Sequence, residues 1–203
     1  MTTNFDVKAR NWDTPEKAER AQAVADLIRS KVKLTRDMSG FEYGCGTGLL
    51  SFCLRDELGQ IALADSSVGM LEVVEEKIQA AGATHMNHLQ LDLMEEAAPE
   101  TPFQLIYSML TLHHIDDTDR ILQIFHSMLS EGGYLCVADL NKEDGSFHSG
   151  EFHGHHGFDQ QQLKSTLERI GFTDVDSEIC YSIEKEVDGK ARSFPVFLMI
   201  CRK

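Results

Sequence analysis

The chain has 203 residues, with 19 Lys+Arg against 33 Asp+Glu, a formal net charge of −14 and 42% hydrophobic residues. A chain of this length builds a self-sufficient core as a single domain. Its scattered Lys and Arg exclude nucleic acid and anionic membranes as main partners, and no stretch nears the ~20 apolar residues of a membrane span, so a cytoplasmic protein is expected.

Thr14-Pro15 reads as an N-cap followed by the first helical residue, and Ala18, Ala21, Ala25 and Ile28 continue at helical spacing. A strand over 39–43 then runs into Gly44-Cys45-Gly46-Thr47-Gly48, and a helix is expected over 49–58. Residues 60–64 form a second strand ending before Asp65, and 68–81 a helix with Leu71, Val74 and Ile78 on one face. Strands follow over 86–93 and 103–112, the latter a nearly unbroken apolar run suited to burial on both faces.

An amphipathic helix after Asp117 is expected to close at Gly132-Gly133 and lead into a strand over 134–140. Asp159 with Gln162 opens a helix that Gly171 ends. Residues 177–187 and 193–202 flank Asp188-Gly189-Lys190, a hairpin signal. The alternation predicts a three-layer α/β domain whose parallel sheet carries one reversed strand, with ligands at the carboxyl ends of the central strands.

Gly44, Gly46 and Gly48 let the backbone leave the first strand sharply and approach a ligand. Leu49 stands where a dinucleotide fingerprint needs its third glycine, which argues against an NAD-dependent oxidoreductase. Glu42, before the loop, suits the amino group of a cationic amino-acid ligand. Asp65 can accept from both hydroxyls of a ribose, and Asp92 from an adenine amine. Acids at three successive strand ends, with the glycine loop between the first two, carry more weight together than any one of them.

On these residues the chain resembles a class I S-adenosylmethionine-dependent methyltransferase of the small-molecule type. The matching stretches are FEYGCGTG at 41–48, LAD at 63–65, LQLDL at 89–93, FQLIYSMLTLHHI at 103–115 and EGGYLCVAD at 131–139. The resemblance implies a Rossmann-like three-layer sandwich on a seven-stranded, mostly parallel sheet with one antiparallel strand. It implies one domain over 1–203, with 1–37 as an N-terminal lid helix and 38–203 as the core.

It also implies that Glu42, Gly44, Cys45 and Gly46 contact the methionine part of S-adenosyl-L-methionine. Asp65 meets the ribose, Asp92 and Leu93 the adenine, Met70 covers the ring, and Ser66 is a further cofactor contact. Ser108 and Met109 lie beneath the sulfonium, and Trp12 closes the lid or anchors the leading helix. The sequence departs from the family pattern with Met38, Ser39 and Gly40 in the first strand and with Gln104 at the start of the fourth.

Methyl transfer needs an in-line nucleophile, and a base only where the acceptor must lose a proton. No N-P-P-[YF] follows the fourth strand, which argues against adenine and amide methylation. A small-molecule acceptor is expected, with His113 or His114 as base or polar wall, or as packing for the next helix, and Asp139 as a second candidate. The 141–158 loop holds His148, His153, His155 and His156 among Glu143, Asp144 and Glu151. Its histidines suit a substrate lid, a solvated loop or, less well, a metal, and no metal is assigned. Cysteines 45, 53, 136, 180 and 201 are odd in number and widely spaced, as expected of reduced, buried thiols. A non-catalytic binding protein with the same fold stays open as an alternative.

Overall fold

The computed structural model describes residues 4–148, 150 and 152–203. Residues 1–3, Ser149 and Glu151, the last named above among the loop acids, lie outside the described residues.

Seven strands form one sheet in the order β3-β2-β1-β4-β5-β7-β6. They are β1 (Ser39–Tyr43), β2 (Gln60–Asp65), β3 (Met86–Gln90), β4 (Phe103–Met109), β5 (Leu129–Leu140), β6 (Thr173–Val187) and β7 (Lys190–Arg202). Only β7 runs antiparallel, pairing β5 on one side and β6 on the other. The helices are α1 (Asn4–Lys8), α2 (Pro15–Lys31), α3 (Leu49–Leu54), α4 (Val68–Ala81), α5 (Thr118–Met128) and α6 (Gln160–Ile170), with 3-10 turns over Ala9–Asn11 and Leu112–His114. Two apolar clusters fill the faces of the sheet. One joins α2, α3 and α4 to it through Ile28, Leu50 and Val74, and the other joins α5 and α6 through Phe125 and Leu167.

Local chemistry explains most boundaries. Thr14 accepts from Lys17 N ahead of Pro15, Asp159 accepts from Gln161 N and Gln162 N, and Gly171 closes α6 in the left-handed region. Asp188 and Gly189 take φ of 51° and 73°, the positive pair that a two-residue turn between twisted strands requires.

Several boundaries differ from the sequence reading: β3 stops at Gln90 rather than 93, β6 begins at Thr173 rather than 177 and β7 at Lys190 rather than 193, because ladder pairing carries these strands to the ends of their partners, and three more differ for local reasons. The helix expected over 49–58 stops at Leu54, and only its buried Leu58 continues the core. The helix after Asp117 ends at Met128 rather than at Gly132-Gly133, because Leu129 is already extended and pairs with Phe103 at the start of β4. Strand β4 ends at Met109 rather than Leu112, since Leu110 turns out of the sheet with φ 54°, an unfavourable value for a bulky side chain.

The departures in the first and fourth strands compensate one another. Gln104 Oε1 accepts from Ser39 N at 2.8 Å and from Ser39 Oγ at 2.9 Å, tying the start of β1 to the start of β4. At Gly40 a side chain would meet Leu58 Cδ1 at 2.8 Å and Tyr107 Cε1 at 3.2 Å, so Leu58 and Tyr107 fill the space that Val or Ile would otherwise take.

Candidate functional site

The carboxyl ends of β1, β2 and β4 meet at the glycine loop. Gly46 N donates to Asp65 Oδ2 at 2.7 Å, and Ser67 N donates to Asp65 Oδ1 at 2.9 Å. Burial pushes the Asp65 carboxyl up, while these backbone donors pull it back down. Each carboxylate oxygen keeps acceptor capacity beyond one N–H bond, so two further hydroxyls can be received here.

The glycines do different work. A Cβ on Gly44, at φ 67°, would lie 2.2 Å from Thr111 Cγ2, and Thr111 Oγ1 donates to Gly44 O at 3.2 Å. The room at Gly44 therefore belongs to the protein's own threonine. At Gly46 the nearest atom to a Cβ is Trp12 Nε1 at 3.7 Å, so this glycine carries the open face of the loop.

Trp12 belongs to a pinned N-terminal segment. Lys17 Nζ sits 3.4 Å from the centroid of its ring and donates to its carbonyl at 2.8 Å. Asp13 beside it accepts from Thr47 Oγ1 and, at 3.1 Å, from Lys77 Nζ. Further back, Asp6 accepts from Ser67 Oγ at 2.6 Å and from Gly69 N at 3.0 Å, so α1 covers the first turn of α4. Asp6, Ser67 and Thr111 were not singled out from the sequence. Only Ser67, an N-cap preceding an apolar helix, carried a local signal.

The remaining cofactor candidates divide by depth. Met70 is 1% and Leu93 0% exposed, Cys45 is buried with its thiol pushed well up by burial, and Ser66 is exposed. Asp92 accepts from Met94 N at 2.9 Å and from Tyr43 Oη at 3.4 Å, while Leu93 N donates to that same Tyr43 oxygen at 3.2 Å. Met109 is half-buried, and the neighbouring Ser108 is 1% exposed with a hydroxyl that lacks any hydrogen-bond partner. A buried unpaired hydroxyl at the end of β4 is the kind of group that a ligand satisfies.

Glu42 is 1% exposed. Its Oε2 accepts from Ser51 N at 3.1 Å and Ser51 Oγ at 2.5 Å, and Ser51 Oγ lies 2.7 Å from Tyr107 Oη. Burial pushes the carboxyl up to about 8 against the lowering effect of Ser51. An acid whose folded value lies above its unfolded one favours folding when protonated, so this contribution is present at low pH and lost as pH rises from about 4.5 through about 8. Glu42→Gln keeps an acceptor for Ser51 and removes the charge. The melting temperature of this variant should equal that of the wild type near pH 5 and exceed it by several degrees above pH 8, while a pH-independent difference would contradict a buried titrating acid.

Across β4 and β5 the structure joins two candidates that lie 26 residues apart. His113 Nδ1 is 2.6 Å from Asp139 Oδ1, with 2% and 0% of the side chains exposed. His113 N also donates to Asp139 Oδ2 at 3.3 Å, and Leu140 N to Oδ1 at 2.7 Å. With three donors on it, Asp139 is an acceptor that fixes a proton on Nδ1 and leaves Nε2 with a lone pair. Nε2 has no hydrogen-bond partner among the described residues.

The 141–158 loop returns onto this pair. His155 N donates to His113 O at 2.7 Å, and a Cβ on Gly154 would lie 2.1 Å from that oxygen. His148 stacks on Phe152 with centroids 3.6 Å apart and planes 11° apart, and lies 5.3 Å from His113 and 5.7 Å from His114. Phe5 of α1 closes the ring cluster 5.6 Å from His114. His114 and His148 are each pushed down to about 4, first by desolvation among these rings and then by the positive charge a protonated His113 would carry, so both are neutral near pH 7. His148 Nε2 is buried without a partner.

His153 is exposed, and His156 lies 3.5 Å from Glu143 at the loop's outer side. Among the described residues no three His, Cys, Asp or Glu gather at metal-holding distance. An open groove of about 580 Å³ lies elsewhere, between α2, α3 and Lys77, and shares only Asp13 and Lys77 with the features above.

Residues 17–177 match the model of a family described as a methyltransferase domain. A similar curated protein, malonyl-[acyl-carrier protein] O-methyltransferase 1 of Ilyobacter polytropus, is 35% identical over 146 residues, 70% of this chain and 53% of that protein. The chain spans about half the length of the curated relatives it matches. Among solved structures, the complex of the Haloferax volcanii Trm112 activator with a methyltransferase aligns with TM-score 0.78 and 14% identity, covering 100% of this chain and 98% of that one. Phosphoethanolamine N-methyltransferase 2 of Haemonchus contortus, in complex with S-adenosyl-L-methionine, aligns with TM-score 0.70 and 17% identity over 90% of this chain and 52% of that one. At such identities the likeness is one of fold.

Proposed function

The chain belongs to the methyltransferase domain family, and on that premise we propose that it transfers a methyl group from S-adenosyl-L-methionine to a small-molecule acceptor. The observation that carries the reading is the bond from Gly46 N to Asp65, which brings a carboxylate with spare acceptor capacity to the open face of the glycine loop. The unpartnered Ser108 hydroxyl, one strand away, fits the same ligand.

In this reading residues 1–203 act as one domain, with 1–37 as lid and 38–203 as core. Asp65 and Ser66 hold the ribose, and Asp92 and Leu93 the adenine, over Met70. Glu42, Gly44, Cys45 and Gly46 surround the methionine part, Ser108 and Met109 lie below the sulfur, and Trp12 lies against Gly46 from the lid. Glu42 and Gly44 are also held from behind the loop, by Ser51 and Thr111.

Bound S-adenosyl-L-methionine supplies an electrophilic methyl carbon on a sulfonium. His113 takes the acceptor's proton at Nε2, and His114 forms a wall of the acceptor site. Asp139 is a positioning residue, acting through His113 Nδ1. A net charge of −14 opposes nucleic acid as acceptor, and the five free cysteines suit a reducing cytoplasm, although Cys53 and Cys180 are half-buried rather than buried as the sequence suggests. Among the described residues no helix is long and apolar enough to cross a membrane.

Calorimetric titration tests the cofactor directly. S-adenosyl-L-methionine should bind with one site per chain and NADH should not, and the opposite pattern would return the chain to the oxidoreductases.

A further inference from the structure

The rings around His113 narrow the acceptor's chemistry, on the strength of the function proposed above. We infer that the site takes an uncharged aromatic hydroxyl compound, which lies against the His148–Phe152 stack, hydrogen-bonds His148 Nε2 and gives its proton to His113.

Four features carry this. A base with a free Nε2 serves only an acceptor that must lose a proton, which excludes thioethers and tertiary amines. The walls are flat: the His148–Phe152 stack, His114 at 5.3 Å from Phe152, and Phe5 edge-on to His114 at 5.6 Å favour a ring over a flexible aliphatic chain. His148 Nε2 is a buried nitrogen lacking a partner, which a polar substituent on that ring would supply.

Among the described residues, the charges nearby are engaged apart from one oxygen of Glu143. Lys185 Nζ donates to Phe147 O from behind the Phe147 ring, and Glu143 Oε2 accepts from Gly145 N and Phe147 N. These two opposite charges both reach His148, Asp139 is held by three donors, and the imidazoles of His114 and His148 are neutral. Among the described residues, a carboxylate acceptor would find no free cation at the stack, and an ammonium acceptor would find only the second oxygen of Glu143, which faces His156.

The reaction balances without a further reagent. The acceptor's oxygen gains the methyl carbon, the carbon–sulfur pair stays on sulfur, and the hydroxyl proton passes to His113 Nε2 and then to solvent.

The test uses 4-nitrophenol as probe, with benzoate and benzylamine as anionic and cationic controls, on the ligand-free protein. Below the probe's own pKa, binding should bring up the phenolate absorption band as the proton moves to His113, and both controls should bind about tenfold more weakly or worse. His148→Phe keeps the stack and removes the nitrogen. It should weaken 4-nitrophenol about tenfold while leaving the thermal unfolding curve and the affinity for S-adenosyl-L-methionine unchanged.

His113→Gln should bind the probe without the phenolate band. Equal binding of either control, or full affinity in His148→Phe, overturns the inference. A protein that fails to bind S-adenosyl-L-methionine refutes the proposed function itself, whereas one that binds it and shows no preference for 4-nitrophenol refutes only the acceptor class.

Discussion

Replacing His113 by glutamine should lower kcat for a hydroxyl acceptor by about 10² to 10⁴, the usual contribution of a positioned general base, with the affinity for S-adenosyl-L-methionine unchanged. Glutamine is not basic and keeps an amide in the space of the imidazole, where alanine would leave a cavity. Asp139→Asn separates base from positioner. An asparagine amide facing Nδ1 turns that nitrogen into an acceptor and moves the imidazole proton to Nε2, where the lone pair is needed. Its kcat should fall as well, and recover as pH rises far enough to ionise the acceptor in solution, because the missing step is then performed by the medium. Single-turnover rates across pH measure both. Undiminished kcat in His113→Gln would remove His113 from the chemistry.

The largest effect on binding is expected at Asp65. In Asp65→Ala the dissociation constant for S-adenosyl-L-methionine should rise about a hundredfold or more. The change removes the acceptor proposed for the ribose hydroxyls; the loss of the bonds from Gly46 N and Ser67 N acts separately, on stability. Each lost hydrogen bond from a ribose hydroxyl to the charged carboxylate is worth about 1.5 to 3 kcal/mol, and about 1.4 kcal/mol corresponds to a tenfold change in affinity. The stabilisation of the wild type by excess cofactor should disappear with it, read as loss of the ligand-induced rise in melting temperature. A dissociation constant within threefold of the wild type would place the ribose elsewhere.

Much of the architecture was legible because the signals were local. Thr14-Pro15, Asp159, Gly171 and Asp188-Gly189 each act within a few residues of themselves, and each stands at the boundary it marks. Gly132-Gly133 misled for the same reason. A glycine pair ordinarily closes a helix, but the pairing of Leu129 with Phe103 recruits the preceding residues into β5, and that partner is 26 positions away. The strained turn at Leu110 had no sequence mark, since leucine is a poor choice for positive φ.

The site was legible as a set of residues and not as a set of bonds. His113 and Asp139 were both named, yet their pairing depends on β4 and β5 lying side by side. Gly44 was read as room for a ligand, whereas Thr111, 67 residues on, fills it. The clasp of Asp6 on Ser67 spans 61 residues and crosses from the leading segment to α4. His148 was one of four loop histidines, and only the folded loop distinguishes it by stacking on Phe152 and leaving one nitrogen bare.

That clasp ties together the two ends of the crevice. Phe5 and Asp6 lie on the same short helix, one over the histidines and the other on the helix that follows β2. One short element therefore roofs both the cofactor end and the histidine end of the crevice, so whatever holds it down bears on both at once.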